Sequence, residues 1–150
     1  MLCWQVIDMF GLELDLLRVF KYALAHDIVE VYAGDTDPWN SAAVNIKKQR
    51  EHDSYIQLQE QFGHSDWVRS IEKYETKEDK EAVFVYAMDK ILPGFVCLLD
   101  REGRAYKKHD VGLEELKKHH SKAHIDPTAK YLSDEMIQFA SEHPECFPKK

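Results

Sequence analysis

Hydrophobic residues recur at helical spacing along almost the whole chain. The pattern predicts an amphipathic helix over residues 2–10, which Gly11 ends, and a second helix from about Leu14 to Tyr32 with a wide apolar stripe. Further helices are predicted over about 42–62, 66–74, 78–92, 113–122 and 127–142, and Pro93 is expected to break or kink the chain after the helix over 78–92. The predicted fold class is therefore all-α, as one compact helical domain over residues 1–150.

Composition agrees with this class and narrows the function. Six Gly and five Pro among 150 residues favour long helices over turn-rich β structure. The formal net charge is −7, from 20 Lys and Arg against 27 Asp and Glu. This balance argues against DNA or an anionic membrane as a partner, because both attract clustered positive charge.

Cellular location is inferred from the cysteines and from the first helix. Cys3, Cys97 and Cys146 are odd in number and show neither disulfide nor zinc spacing, so they are interpreted as reduced thiols. Charged residues interrupt the apolar opening segment, and no basic region precedes it. We therefore expect a cytoplasmic protein without a membrane span.

Candidate chemistry is concentrated at the dipeptide His26-Asp27. Glu30 follows at i+4 from His26 and i+3 from Asp27, which places it on the same side of the predicted helix. Asp89 lies in an apolar helix, where a lone carboxylate is costly unless it is paired or bound to a metal. An imidazole with carboxylates suits Mn²⁺, Fe²⁺, Co²⁺ or Zn²⁺ better than Ca²⁺. Such an ion would lower the pKa of a bound water and neutralise a phosphoryl oxygen, with Glu30 placed to exchange the proton of that water.

The sequence around this dipeptide resembles a known family. Residues 25–36 read Ala-His-Asp-Ile-Val-Glu-Val-Tyr-Ala-Gly-Asp-Thr. This run is similar to the signature of the HD-domain metal-dependent phosphohydrolases, in particular the branch that includes bacterial 5′-deoxynucleotidases. The charged residues 48–51, the segment from Trp67 through residues 72–76, and the region from Glu81 to Asp89 agree in order and character. The resemblance covers about residues 14–115, and residues 116–150 are expected to form a helical extension.

The resemblance implies a helical HD bundle with specific roles for its residues. A mononuclear divalent ion would be held by His26, Asp27 and Asp89, and Glu30 would work with the attacking water. The substrate is expected to be a small phosphoester, first of all a deoxynucleoside 5′-monophosphate, with a cyclic or an oxidised nucleotide as other choices. The residues expected to contact the substrate are Asp35, Thr36, Asp37 and Pro38, where Thr-Asp-Pro departs from the Pro-Thr-Pro of some members.

One ligand of the family's metal site has no counterpart, because His26 is the first histidine of the sequence. The family takes a further histidine from a helix upstream of the His-Asp pair. We expect this chain to be shortened relative to the family, through a late start codon or a genuine truncation. A chain of this kind is expected to form a homodimer or to be inactive. The alternative function is a non-catalytic helical module that binds a nucleotide or a protein.

Simpler roles stay open for several of these residues. Asp89 could pair with Lys90 or with a basic residue of a neighbouring helix, and Asp35 could hydrogen-bond the backbone of its own loop. His120 and His124 at i,i+4 could bind a metal on one helix face. Because lysines surround them, His119, His120 and His124 are interpreted as part of a solvated face rather than as metal ligands.

Overall fold

The secondary structure follows the helical periodicity of the sequence. The computed structural model describes residues 1–36, 41–100 and 102–149, without the side chains of residues 41–45. No strand occurs among these residues, and the predicted all-α class is confirmed. The α-helices are α1 (Leu2–Phe10), α2 (Leu16–Ala25), α3 (Glu30–Ala33), α4 (Ser41–Phe62), α5 (Asp66–Thr76), α6 (Lys80–Leu99), α7 (Arg104–Lys108), α8 (Leu113–His120) and α9 (Pro127–Glu142), with 3₁₀ turns at His26–Val29, Ser121–Ile125 and Pro144–Cys146.

The chain divides into two units. Phe10–Val85 form one unit, here called the central unit. Met1–Met9 and Tyr86–Lys150 form the other, here called the terminal unit. The first residues of α6 therefore belong to the central unit and the remainder of that helix to the terminal unit.

Apolar side chains on both sides of the His26-Asp27 dipeptide form the core of the central unit. Ala25 and Val29 pack with Leu58 of α4 and Ile71 of α5, and none of the four is more than 2% exposed. Partly buried residues that pack against this cluster are Ile28, Tyr55 and Trp67. Because Ala25 and Val29 are anchored in the core, the residues between them are held in one orientation at its edge.

The helix predicted over about Leu14 to Tyr32 is interrupted by a 3₁₀ turn, so the prediction of one continuous helix is wrong. Asp15 caps α2 by accepting hydrogen bonds from the backbone N–H groups of Leu17 and Arg18, which places the start of the helix at Leu16. After Ala25 the chain tightens into the 3₁₀ turn His26–Val29 before α3 begins. A short 3₁₀ segment between two helices often marks a functional position, and here it contains the candidate dipeptide.

The predicted end of a helix near Leu92 is also wrong, because α6 continues through Pro93 to Leu99. Proline supplies no N–H to the carbonyl four residues earlier, which normally breaks or bends a helix. Tertiary contacts favour continuation, since Gly94 and Leu98 beyond the proline are buried and the Tyr106 hydroxyl donates to the Gly94 carbonyl at 3.2 Å. By length and composition alone α6 would also pass as a membrane-crossing helix, a test that core helices of soluble proteins pass as well.

His120 lies in the interior of the terminal unit and is 1% exposed. Its Nδ1 lies 3.5 Å from Ser133 Oγ of α9, and its Nε2 has no hydrogen-bond partner among the described residues. Gly94 of α6 approaches so closely that a β-carbon there would lie 2.4 Å from Nε2. The interpretation of His119 and His120 as a solvated face is therefore wrong, because α6 and α9 cover His120 and His119 is half-buried.

The buried histidines predict a stability that falls in mild acid. Burial lowers the pKa of His120 from 6.5 to about 4, and the neighbouring His119 and His124 act in the same direction. Burial, followed by the charges of Lys122 and Lys90, likewise lowers the pKa of His119 to about 4. Each imidazole therefore binds its proton more readily in the unfolded chain. We expect the free energy of unfolding to be insensitive to these groups above pH 6.5 and to decrease as the pH falls from 6.5 towards 4.

Urea unfolding measured at several pH values tests this dependence. In His120→Gln the decrease between about pH 6.5 and pH 4 should be smaller than in the wild type, because one titrating group is gone. The control is His64→Gln, which changes an exposed histidine. If the free energy of unfolding of His120→Gln decreased with falling pH as steeply as that of the wild type, the role given to His120 would be contradicted.

Asp79 connects α2 with the first turn of α6 inside the central unit. Its Oδ2 accepts hydrogen bonds from the Tyr22 hydroxyl at 2.7 Å and from the Arg18 guanidinium at 3.1 Å, and its Oδ1 accepts from the Ala82 N–H at 2.9 Å. Burial pushes the pKa of Asp79 upwards, but the hydrogen bonds from Tyr22, Ala82 and Arg18 outweigh burial and hold that pKa below 3.8.

Asp79→Asn is expected to lower the free energy of unfolding by about 1–3 kcal/mol at neutral pH, because hydrogen bonds to a charged acceptor are lost. A depressed carboxyl pKa stabilises the fold above the unfolded-state value of about 3.8, and this contribution is lost as the pH falls through the folded-state pKa. The difference in the free energy of unfolding between wild type and Asp79→Asn should be constant from pH 7 down to about pH 5 and should shrink below about pH 4. Asp134→Asn, which changes an ion pair on the surface with Lys130, should cost less than about 1 kcal/mol. Equal effects of the two substitutions would contradict this role of Asp79.

Candidate metal and substrate site

His26 is fixed at the start of the 3₁₀ turn by contacts on two sides. Its Nδ1 lies 3.1 Å from the Ala23 carbonyl oxygen, and its ring centre lies 5.1 Å from that of Tyr74 on α5. A carbonyl oxygen can only accept, so Nδ1 carries a hydrogen and donates it. This bond directs the opposite ring nitrogen, Nε2, towards Asp27, and a metal-binding histidine is oriented in the same way.

His26 and Asp27 form a closely spaced donor pair. Nε2 of His26 lies 3.1 Å from Oδ1 of Asp27. Two lone pairs at this distance repel each other unless a cation, either a proton on Nε2 or a metal ion, lies between them. Donor atoms spaced in this way match neighbouring ligands of an ion with bonds of about 2.0–2.2 Å. The pair therefore fits one side of a divalent metal site, and the Asp27 side chain is 66% exposed, which leaves that side open.

The described residues do not assemble a larger ligand group. Within residues 1–36, 41–100 and 102–149, no set of three or more His, Cys, Asp or Glu side chains is arranged to hold a metal ion. Asp89, the third ligand implied by the resemblance, belongs to the terminal unit. There its Oδ2 lies 2.6 Å from Lys90 Nζ, which is the ion pair that the sequence left open as the simpler role. Its role as a metal ligand stays a prediction.

Glu30 begins α3, immediately after the turn. One of its oxygens lies 3.8 Å from Lys47 Nζ on α4, and the same Nζ lies 3.1 Å from Glu51. Burial raises the pKa of Glu30, the carboxylates of Asp27 and Asp35 raise it further, and Lys47 opposes them in part. A carboxyl group whose pKa is moved towards neutrality is suited to accept and return a proton.

Gly34 redirects the chain after α3 into the predicted substrate loop. It adopts φ 73° and ψ 151°, and its carbonyl accepts a hydrogen bond from Arg50 Nη2 at 3.4 Å. In the loop, the Thr36 N–H donates to Asp35 Oδ1 at 2.6 Å, and the Thr36 residue is buried. Asp35 therefore bonds its own loop, as its simpler role predicts. Asp37 and Pro38 lie outside the described residues.

Two supporting residues were missed from the sequence. Ser54, 1% exposed, donates its hydroxyl hydrogen to the Val29 carbonyl at the end of the 3₁₀ turn. Tyr74 packs against the His26 ring. The signal available for both was spacing: Ser54 lies four residues before the buried Leu58, and Tyr74 three residues after the buried Ile71, so each occupies the apolar stripe of its helix.

Comparison with known proteins identifies the family. A family model described as HD domain matches residues 1–131. The chain belongs to the HD-domain family, whose members are in general metal-dependent hydrolases. Neither the curated proteins nor the solved structures yielded a significant match. The general resemblance seen in the sequence is thereby confirmed, and the 5′-deoxynucleotidase branch stays a prediction.

Gly34→Ala is expected to destabilise the protein by about 1–3 kcal/mol, because the backbone conformation at this position is nearly exclusive to glycine. A β-carbon there would also lie 3.0 Å from Arg50 Nη2. The matched control is Gly63→Ala, which has φ 63° but no atom within 4 Å of an added β-carbon. Urea unfolding compares the two variants, and an unchanged stability of Gly34→Ala would contradict the loop conformation described above.

Proposed function

We propose that this protein is a metal-dependent phosphohydrolase that removes phosphate from a small phosphoester, first of all a deoxynucleoside 5′-monophosphate. The donor pair of His26 and Asp27 is the observation that carries the proposal. Its two donor atoms lie 3.1 Å apart, the imidazole is oriented by the Ala23 carbonyl, and Glu30 follows directly after the same turn. Membership of the HD-domain family supports the reaction class.

The proposed ligands are His26, Asp27 and Asp89, and the proposed ion is Mn²⁺, Co²⁺, Fe²⁺ or Zn²⁺. The first two are supported by the geometry of the central unit, and Asp89 is assigned by the resemblance alone. When bound, such an ion supplies a water of lowered pKa and neutralises charge on a phosphoryl oxygen.

The proposed roles of the other residues follow from their surroundings. Glu30 accepts a proton from the attacking water at its carboxylate, for which its raised pKa is suited. Lys47, 3.8 Å from Glu30, supplies positive charge beside that carboxylate. The substrate is contacted, by the resemblance alone, by Asp35, Thr36, Asp37 and Pro38 as water attacks in line and the nucleoside oxygen leaves.

A second candidate function is favoured by one observation. Among the described residues, the candidate ligands His26 and Asp27 lie close together, and no group of three is arranged to hold a metal ion. A non-catalytic helical module that binds a nucleotide or a protein would need no more than this. A homodimer and a cytoplasmic location, both expected from the sequence, stay predictions for either function.

Metal titration together with phosphate release separates the two functions. We expect Mn²⁺ to bind in isothermal titration calorimetry, and Asp27→Asn and Asp89→Ala to weaken binding by about tenfold or more. Affinity should also fall as the pH is lowered, because His26 must lose the proton on Nε2 to bind a metal. Glu30→Gln should bind Mn²⁺ but release phosphate about 10²–10⁴-fold more slowly from deoxynucleoside monophosphates, because a general base is lost.

The matched control is Glu60→Gln, which changes an exposed glutamate of α4. It should alter neither metal affinity nor phosphate release. Absence of both metal binding and phosphate release in the wild type would favour the non-catalytic module. An unchanged Mn²⁺ affinity of Asp89→Ala would remove Asp89 from the ligand set, and Mn²⁺ binding with release from other phosphoesters alone would replace the proposed substrate.

A further inference from the structure

A cavity of about 400 Å³ lies between α4 and α5 of the central unit and has no role in the proposed reaction. Two core residues line it, Val29 from the 3₁₀ turn and Ile71 from α5, which are 2% and 1% exposed. The remaining lining residues are polar or aromatic: Lys48, Glu51, His52, Tyr55, Glu72, Glu75 and Thr76. A cavity of this volume lies in the range that accommodates small organic ligands.

The lining groups favour a flat, uncharged ring over a phosphate group. The wall carries three carboxylates and one lysine, and Lys47 lies 3.1 Å from one of the carboxylates, Glu51, so a phosphate group gains less there than an uncharged ring. The apolar side chains of Val29 and Ile71 and the ring of Tyr55 provide surface on which an aromatic ring loses water favourably.

Glu72 is the carboxylate whose orientation is fixed best. Its Oε2 accepts a hydrogen bond from the Tyr55 hydroxyl at 3.1 Å, and that hydroxyl in turn accepts one from Gln59 Nε2 at 2.7 Å. Glu72 is exposed, and its second carboxylate oxygen accepts no hydrogen bond from the described residues, so it can accept one from a ligand. A carboxylate held in this way recognises a group that donates hydrogen bonds, such as an exocyclic amine.

The cavity is connected to the candidate catalytic residues through short contacts. Val29 immediately precedes Glu30 in the chain, and Lys47 Nζ lies 3.8 Å from Glu30 and 3.1 Å from Glu51, a residue of the cavity wall. In a nucleoside monophosphate one sugar ring separates the phosphate from the base. Glu30 and Lys47 therefore lie next to the cavity wall, and we infer that a nucleotide whose phosphate lies at the His26-Asp27 pair extends its base towards the cavity.

We propose that this cavity binds the base of the substrate and, among the pyrimidines, prefers cytosine, which has an amine at C4, over thymine and uracil. The inference rests on the proposed function, because it takes a nucleotide as the substrate. Cytosine presents an amine donor at C4 where thymine and uracil present a carbonyl acceptor. The amine can donate to the Glu72 carboxylate, and a carbonyl oxygen in the same place would be repelled by it and gain no hydrogen bond.

The ratio of kcat/KM for deoxycytidine monophosphate to that for thymidine monophosphate tests the proposal. We expect a ratio of about ten or more in the wild type, which corresponds to one hydrogen bond to a charged group. In Glu72→Gln the ratio should fall towards one. Glu60→Gln, which removes the same charge from an exposed position of α4 outside the cavity, should preserve the ratio.

A second variant fills the cavity without touching the core. Thr76 is exposed and lies at the end of α5, so Thr76→Trp adds a large ring at the cavity wall, and far-UV circular dichroism verifies its fold. This variant should raise KM for both nucleotides more than KM for deoxyribose 5-phosphate, which has no base. A wild-type ratio near one, or a ratio that Glu72→Gln leaves unchanged, would overturn the inference. So would a Thr76→Trp variant in which KM for the nucleotides rises no more than KM for deoxyribose 5-phosphate. In each case phosphate release would still uphold the proposed function.

If no phosphate is released from any compound, deoxyribose 5-phosphate included, the proposed function is contradicted. Calorimetric titration with deoxycytidine and thymidine then tests the cavity directly. Tighter binding of deoxycytidine that Thr76→Trp abolishes would support base recognition. Absence of nucleoside binding, or equal affinity for the two nucleosides, would overturn it.

Discussion

The central constraint in this protein is the burial of Ala25 and Val29 on either side of His26 and Asp27. Both apolar side chains lie in the core with Leu58 and Ile71, so the intervening residues cannot rotate away without opening that core. The backbone meets this constraint by tightening into a 3₁₀ turn, and the Ser54 hydroxyl binds the Val29 carbonyl at its end. The orientation of the candidate ligands therefore depends on packing beneath them more than on contacts between them.

Electrostatics explains why a cation is expected at this position. The carboxylates of Asp27, Glu30 and Asp35 lie close enough for the first and last to raise the pKa of Glu30. Lys47 offsets this repulsion only in part, since it is shared with Glu51. The proposed substrate is an anionic phosphoester, and a chain with a net charge of −7 needs positive charge at the point of contact with it. HD domains typically bind divalent metals, and such an ion would supply that charge.

In the terminal unit the buried polar side chain is an uncharged histidine. His120 lies under α9 as a neutral imidazole, with Gly94 packed against its Nε2. This arrangement favours the uncharged ring because a charged one would lose its hydration without gaining a carboxylate partner. Close packing at Gly94 also helps to explain why α6 passes through Pro93, since the residues beyond the proline are held by the interior of the unit.

The sequence by itself determined the all-α class, the family and the candidate dipeptide, because helical periodicity and a short motif are local properties of the chain. It also placed Glu30 on the same side as His26, since that relation spans a single helical turn. Tertiary structure decided what depends on segments far apart in sequence: the break after Ala25, the burial of His120, and the contacts of Tyr74 with His26. The cavity between α4 and α5 belongs to this second group, because its lining residues come together only when the two helices pack around Val29.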